Sequence, residues 1–139
     1  MTDKQNVVAR EVAEQEFERF AEAMDLDLDI SRMDADDIKN LDGAKHTLVR
    51  AIERGDLVID EKGQPVFTPT TKLDGISTLT FYEPTGASFM SMDGKKKGQD
   101  FAKMFTLMAE MTRQPEKTFS KLPQRDLKVC RTIVTLFLG

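Results

Sequence analysis

Residues 127–138, close to the end of the sequence, restrict the fold more than any other segment. Their spacing predicts a helix, and apolar side chains would cover more than half of its circumference. The polar strip of this helix consists of Lys128, Arg131, Thr132 and Thr135. A helix on the surface of a globular domain has a narrower apolar face than this. We therefore expect the helix to lie at the centre of the fold or to be shared with another chain.

Apolar periodicity predicts about four helices in a mainly helical chain. The four helical segments are residues 5–24, 35–54, 100–112 and 123–138. Asp34 is a candidate N-cap of the second segment, and Gly55 lies where a C-cap glycine belongs. Gly43 is a possible break within that segment. Residues 87–99 are predicted to form a loop, and residues 115–120 a short turn between the last two helices.

Between the second and third helical segments, the pattern favours a small antiparallel sheet of two to three strands. Residues 57–59 and 66–67 flank a turn-rich segment, which predicts a hairpin. Because Pro65 and Pro69 bracket the second strand, we expect that strand at an edge of the sheet. A longer third strand is predicted at residues 76–83. The predicted fold class is therefore α+β, mainly helical.

Length and composition restrict the class of protein. A chain of 139 residues with 40% hydrophobic and 32% charged residues is typical of one globular domain or two very small ones. No apolar run approaches the ~20 residues that span a bilayer, and the polar N-terminus lacks the apolar core of an export signal. Cys130 is the only cysteine, so no internal disulfide can form and a reducing cytoplasm is the expected location.

Charge is unevenly distributed along the chain. Residues 1–69 carry 17 acids and 9 bases, whereas residues 70–139 carry 7 acids and 11 bases. The two halves could attract each other within or between subunits, or they could be two solvated surfaces of different sign. We divide the chain into an acidic helical region with a hairpin, residues 1–70, and a strand followed by two helices, residues 71–139.

An alternating acidic and apolar run follows the first helical segment. It begins at Asp25 and predicts a short half-buried strand or an extended linker. Asp25, Asp27 and Asp29 match the opening of a calcium loop. Such a loop requires glycine at its sixth position and glutamate at its twelfth, which Ile30 and Asp36 occupy here. A solvated acidic stretch is therefore favoured over a metal site.

The remaining reactive side chains form no pattern typical of an enzyme. His46 is the only histidine and has no second histidine or cysteine nearby in the sequence to complete a metal site. Cys130 lies in an apolar stretch, which favours a small buried side chain; pairing with His46 as nucleophile and base would depend on the fold. Lys95–Lys97 lack the Gly-Lys-Ser/Thr ending of a phosphate-binding loop and any interleaved aromatic residue. We expect a non-catalytic protein without metal or cofactor, and nucleic-acid binding is disfavoured.

Three short elements in the second half of the chain resemble a known protein family. The first is a strand followed by Glu-Pro-Thr-Gly, Leu79-Thr80-Phe81-Tyr82-Glu83-Pro84-Thr85-Gly86. The second is a helix, Phe101–Thr112, followed by Pro115; the third leads into the apolar final helix, Leu122-Pro123-Gln124-Arg125-Asp126-Leu127. Together they resemble the tail assembly chaperones of long-tailed phages, especially the short products of Mu-like and related temperate phages. The matching family-motif residues are Glu83, Pro84, Gly86, Arg125, Asp126 and Leu127.

This resemblance implies an assembly factor that acts in the cytoplasm of the bacterial host and is absent from the mature virion. Such proteins coat the long, helical tape measure protein, keep it soluble and help to recruit tail tube subunits. Coating an extended partner requires many copies of the chain, so self-association is also expected. The alternatives are a structural tail or connector protein of the virion and a small nucleic-acid-binding regulator that uses the last helix and Lys95–Lys97.

A methionine-rich apolar stripe would supply the contact surface for the tape measure protein. Five of the 8 methionines lie between Met90 and Met111, and methionine suits surfaces that adapt to a partner. Facing the last helix, the stripe would form a groove for a helical segment. The predicted partner-binding residues are Phe101, Met104, Phe105, Met108, Met111, Ile133, Val134 and Phe137. An ordinary core stripe is an equally supported interpretation, and both can hold.

Overall fold

The computed structural model describes residues 6–93 and 100–138, without the side chains of residues 92, 93, 100 and 101. The described residues form six helices and one three-stranded antiparallel sheet, which confirms the predicted α+β, mainly helical class. The helices are α1 (Arg10–Ala23), α2 (Ala35–Glu53), α3 (Gly86–Asp93), α4 (Asp100–Thr112), α5 (Glu116–Ser120) and α6 (Gln124–Leu138). The strands are β1 (Leu57–Ile59), β2 (Pro65–Phe67) and β3 (Leu79–Thr80). Helix α5 replaces the turn predicted at residues 115–120.

Local signals define the ends of α2 as the sequence predicts. The carboxylate of Asp34 accepts a hydrogen bond of 2.8 Å from the backbone N–H of Asp37, which caps the first turn. Gly55 follows the helix with a φ of +81°, in the left-handed region that favours glycine. Gly43 does not break the helix. A single glycine costs only about 1 kcal/mol there, and the burial of Leu48 one turn later offsets that cost.

The second strand lies at the centre of the sheet, so the edge position predicted from its prolines is wrong. The strand order is β1-β2-β3, and both pairs are antiparallel. Pro65 opens β2 opposite Ile59, and its carbonyl accepts a hydrogen bond of 2.8 Å from the N–H of Phe81. Proline is tolerated at the first residue of a strand, and its carbonyl can still accept a hydrogen bond. Pro65 therefore does not prevent β2 from pairing with a strand on each side.

Two further segments differ from the expectations. The third strand covers only Leu79–Thr80, because a turn with Gly75 at a φ of +72° precedes it. The segment predicted as a loop at 87–99 lies largely in α3 up to Asp93, and residues 94–99 lie outside the described part of the chain. The helix was missed because it shows no apolar period, and its Met90 side chain is 74% exposed.

One hydrophobic core unites the two regions that the sequence divides at residues 1–70 and 71–139. Phe20 of α1 and Phe137 of α6 pack edge to face, with their ring centroids 5.8 Å apart. Strand β2 of the first region pairs with β3 of the second. The largest fully buried side chains are Phe17, Phe20, Phe67, Phe81, Phe119, Leu48, Leu57, Leu79, Leu107, Met108, Met111 and Ile133. The change in charge between the halves therefore does not separate two cores.

Helix α6 occupies a central position in this core. It contacts both α2 and α4, and it buries Val129, Cys130, Ile133 and Val134. Burial against two helices explains why its apolar face is wider than that of a surface helix. Across residues 6–93 and 100–138, no helix combines the length and apolar character needed to cross a bilayer.

Candidate partner-binding groove

Four of the predicted partner-binding residues lie in the core. Met108, Met111, Ile133 and Val134 are each at most 2% exposed, because α4 and α6 pack against each other along the predicted stripe. A partner cannot contact these side chains in this conformation. At these positions the monomer covers the stripe as it would cover an ordinary core stripe, and contact with the tape measure protein stays a prediction.

The other predicted partner-binding residues lie at the margin of the core. Met104, Phe105 and Phe137 are half-buried against it. The side chain of Phe101 lies outside the described part of the chain. The accessible part of the predicted surface is therefore narrower than the stripe, and it lies towards the ends of the two helices.

An open apolar groove lies beside the C-terminal end of α6. Its volume is about 480 Å³. The first wall is the connection between α1 and α2, the second is the N-terminal half of α2, and the third is the end of α6. The lining residues are Leu26, Asp27, Leu28, Met33, Asp37, Asn40, Leu41, Ala44, Thr135 and Leu136. We name this feature the α6 groove.

Short-range hydrogen bonds hold the connection that forms the first wall. The Asp27 carboxylate accepts a 2.9 Å bond from the N–H of Asp29, and the Asp29 carboxylate accepts bonds of 3.0 and 2.6 Å from the N–H and hydroxyl of Ser31. The bonds from Ser31 hold the pKa of the Asp29 carboxyl below its ordinary value. Leu26 and Leu28 alternate with these aspartates and line the groove. The alternating run is therefore a groove wall whose aspartates form local turns.

The other two walls also present apolar side chains. Asp37, Leu41 and Ala44 are spaced by four and three residues, so they share one face of α2. Outside the lining itself, Ile30 of the first wall is 53% exposed and Leu138 at the end of α6 is 45% exposed. A partner that filled the groove would find further apolar surface on the elements that form it.

The α6 groove has an acidic border. Asp27 and Asp37 line it from two different walls, and both are exposed to solvent. Residues 25–42 include seven aspartates and only two basic residues. The dipole of α2 favours negative charge near its N-terminus, which accounts for part of this pattern. The side-chain ion pairs found within the described part of the chain lie elsewhere and join Arg10 to Glu14, Arg19 to Glu16 and Arg50 to Glu53.

The family-motif residue Asp126 joins α6 to the segment after β2. Its side chain is buried in the first turn of α6, with 1% exposure. Its carboxylate accepts hydrogen bonds of 3.0 Å from both the N–H and the hydroxyl of Thr70. A negative charge is also favoured at a helix N-terminus. These contacts give Asp126 a structural role in the fold.

The remaining family-motif residues lie at two corners of the chain. Glu83 and Arg125 are exposed, and Pro84 and Leu127 are half-buried. Gly86 is the first residue of α3. These residues mark where β3 leads into α3 and where α6 begins, and they do not line the groove.

A cation–π contact fixes the corner after β3 to the end of α4. The guanidinium carbon of Arg113 lies 3.8 Å from the ring centroid of Tyr82. The N–H of Tyr82 also donates a 2.9 Å hydrogen bond to the carbonyl of Met111. Arg113 has a φ of 58°, which ends α4 and places its side chain over the ring.

The two side chains considered for nucleophilic chemistry have different surroundings. Cys130 is fully buried, and burial together with the charge of Asp126 raises the pKa of its thiol. Because the thiolate is the reactive form, this cysteine is a poor nucleophile at neutral pH. His46 is exposed and lines a separate polar cleft of about 280 Å³ between α1 and α2. Within residues 6–93 and 100–138, no group of three or more His, Cys, Asp or Glu side chains is arranged to hold a metal ion.

Comparisons with known proteins were made with family models, curated proteins and solved structures, and none gave a significant match. No family is therefore assigned to the chain by overall similarity.

None of the groove-lining residues is among the predicted partner-binding residues. Leu26, Leu41 and Leu136 come from three separate elements, and no local pattern indicates that they meet. The one available signal was the alternating run after α1, whose leucines are apolar but whose aspartates keep it at the surface. A segment of that kind marks a surface with one apolar side.

Proposed function

We propose that this chain is a non-catalytic binding protein that holds a helical segment of a larger partner in the α6 groove. The observation that carries the proposal is an open apolar groove of about 480 Å³ beside the end of the central helix α6. The resemblance of residues 79–86, 101–115 and 122–127 to tail assembly chaperones indicates the tape measure protein as that partner. In this role the chain binds the tape measure protein, keeps it soluble and helps to recruit tail tube subunits. It acts in the cytoplasm of the bacterial host and is absent from the mature virion.

The dimensions of the groove suit one short stretch of helix. The α2 face from Asp37 to Ala44 extends over seven residues, which is about 10 Å at 1.5 Å per residue. That length matches about two turns of a partner helix, which anchors with apolar residues three or four positions apart.

A groove of this size binds with moderate affinity, which suits a protein that coats a long partner. Many copies along one helical protein would each cover one short apolar stretch. Linked sites of this kind raise the overall affinity strongly without any single tight contact.

The test is co-expression of the chain with the tape measure protein of the same phage. The soluble fraction of the tape measure protein is measured after centrifugation, with the wild-type chain, with Leu41→Asp in the groove and with Val58→Asp on β1. Val58 is 56% exposed and lies outside the groove, so it is the matched control. Circular dichroism establishes that each variant is folded.

We expect the wild-type chain and Val58→Asp to keep the tape measure protein soluble, and folded Leu41→Asp to lose this activity. A charged side chain in an apolar groove is costly to desolvate when a partner helix binds. If the wild-type chain leaves the tape measure protein insoluble, or if folded Leu41→Asp works as well as the wild type, the proposal is wrong.

A further inference from the structure

We infer that the α6 groove selects a partner helix whose apolar stripe is bordered by lysine or arginine side chains. The inference rests on the proposed function, because it specifies the chemistry of the segment that the groove receives. It follows from the way in which charge and apolar surface are combined in the groove.

The two groove carboxylates lie on different walls. Asp27 belongs to the connection after α1, and Asp37 belongs to the first turn of α2. A helix lying between these walls would have a carboxylate along each edge of its apolar stripe. Basic residues at those edges would be attracted, and acidic residues would be repelled.

The two walls that carry the groove aspartates have few basic residues, whereas the third wall, α6, has the exposed Arg131 one turn before Thr135. None of the described lining residues of the groove is basic. The surrounding sequence from 25 to 42 contributes seven aspartates against Arg32 and Lys39. A cleft that is lined by charges of one sign and has apolar walls concentrates its electric field at its mouth. This raises the rate of encounter with an oppositely charged segment.

A second copy of this chain offers no comparable helix in its described part. The apolar surface of α3, with Phe89 and Met90 exposed, lies on a helix without a basic residue. Away from the termini and the groove, the remaining large exposed apolar side chains are Val12, which stands alone on the acidic helix α1, and Val58, which belongs to a strand. A basic amphipathic helix from a different protein is therefore the better fit for the groove.

The expected preference is modest for each carboxylate. An exposed ion pair contributes roughly a two- to fivefold change in affinity, so two such pairs contribute roughly 4- to 25-fold. Because the Debye length falls from about 10 Å at 0.1 M salt to about 3 Å at 1 M, the preference should shrink as salt is added. The apolar contribution should remain.

The experiment uses three synthetic helical peptides with the same leucine–alanine stripe, bordered by lysine, glutamine or glutamate. Binding to the full chain is measured by fluorescence anisotropy at low and at high salt. The double variant Asp27→Asn and Asp37→Asn removes both charges and keeps the side-chain shape. The amide oxygen introduced by Asp27→Asn can still accept the bond that the N–H of Asp29 donates. The matched control is the double variant Glu18→Gln and Glu22→Gln, whose side chains are exposed on α1.

At low salt, we expect the lysine peptide to bind most tightly and the glutamate peptide least tightly. The preference should disappear in the aspartate double variant and persist in the glutamate control. The inference is overturned if the glutamate peptide binds as well as the lysine peptide, or if the aspartate double variant keeps the preference. It is also overturned if no peptide binds, or if Ala44→Trp, which fills the groove, leaves lysine-peptide binding unchanged.

Sedimentation of the same variants measures their oligomeric state and tests whether a second copy of this chain occupies the groove. If Ala44→Trp changes the oligomeric state and the lysine peptide does not bind the wild type, the groove is an interface between copies of this chain and the inference is wrong. Failure of the inference is distinct from failure of the proposed function. If the wild-type chain solubilises the tape measure protein but binds the three peptides equally well, only the inference is wrong. If it prefers the lysine peptide but does not solubilise the tape measure protein, only the proposed function is wrong.

Discussion

Replacing Met108 by aspartate separates a core role from a contact role for the methionine-rich stripe. Met108 lies on α4 with 2% exposure and belongs to the continuous core. Its matched control is Met90→Asp on α3, the same chemical change at a position with 74% exposure. If the stripe were mainly a partner surface, both variants would fold and only the first would lose binding.

The burial of Met108 determines the expected size of the effect. Losing the buried methionine side chain costs about 2 kcal/mol, and placing an unpaired carboxylate in the core adds several kcal/mol unless it is protonated. A domain of this size has a total stability of about 5–15 kcal/mol. Met108→Asp therefore removes most or all of the stability, whereas Met90→Asp changes it by at most about 0.5 kcal/mol.

Urea denaturation followed by circular dichroism is the assay. We expect no cooperative transition for Met108→Asp, or a midpoint far below that of the wild type. Met90→Asp should have a midpoint close to the wild-type value. A third variant, Met108→Ala, should fold and lose about 2–5 kcal/mol. The reasoning would be refuted by a Met108→Asp protein that unfolds at the wild-type midpoint, because the side chain would then have to be accessible.

Four further outcomes follow from the structure. Asp126→Ala removes the acceptor of both Thr70 hydrogen bonds and should cost about 2 kcal/mol in urea denaturation, with a smaller loss for Asp126→Asn; equal losses would contradict a role for the charge. Cys130 should resist a thiol reagent in the native protein and react after denaturation, and rapid native labelling would contradict its burial. The lowered pKa of Asp29 means that its charge stabilises the fold above the ordinary value of 3.8 and that this contribution is lost as the pH falls through the lowered value. The stability difference between the wild type and Ser31→Ala should therefore shrink in acid. Mass spectrometry of purified virions should not detect the chain, and finding it in stoichiometric amounts would favour a structural tail protein.

The parts of the fold that sequence predicts well are those with local signals. The second helix has an N-cap at Asp34 and a left-handed glycine at Gly55, and both signals act within one turn of the helix. Helix α3 was missed because the apolar residues of its short segment, Gly86–Asp93, are not confined to one face of a helix and so show no helical period. The position of β2 in the sheet was predicted wrongly because strand order depends on pairing with β3, which is distant in sequence.

The candidate site could be predicted only in part, because it also depends on contacts between residues that are distant in sequence. Helical spacing shows that Met108 and Ile133 lie on apolar faces, but it does not show whether the chain itself or a partner covers those faces. Both are covered within the monomer. The α6 groove joins Leu28, Leu41 and Leu136, which come together only after the helices pack.

Site-specific photo-crosslinking tests the central claim, that the α6 groove holds a segment of the tape measure protein. A photoreactive residue is placed at Asn40, which is exposed and lines the groove, and at Met90 as an exposed control outside the groove. After irradiation of the co-expressed complex, crosslinked tape measure protein is quantified. We predict a strong crosslink from position 40 and little from position 90. Equal crosslinking from both positions, or crosslinking from position 90 alone, would contradict the account.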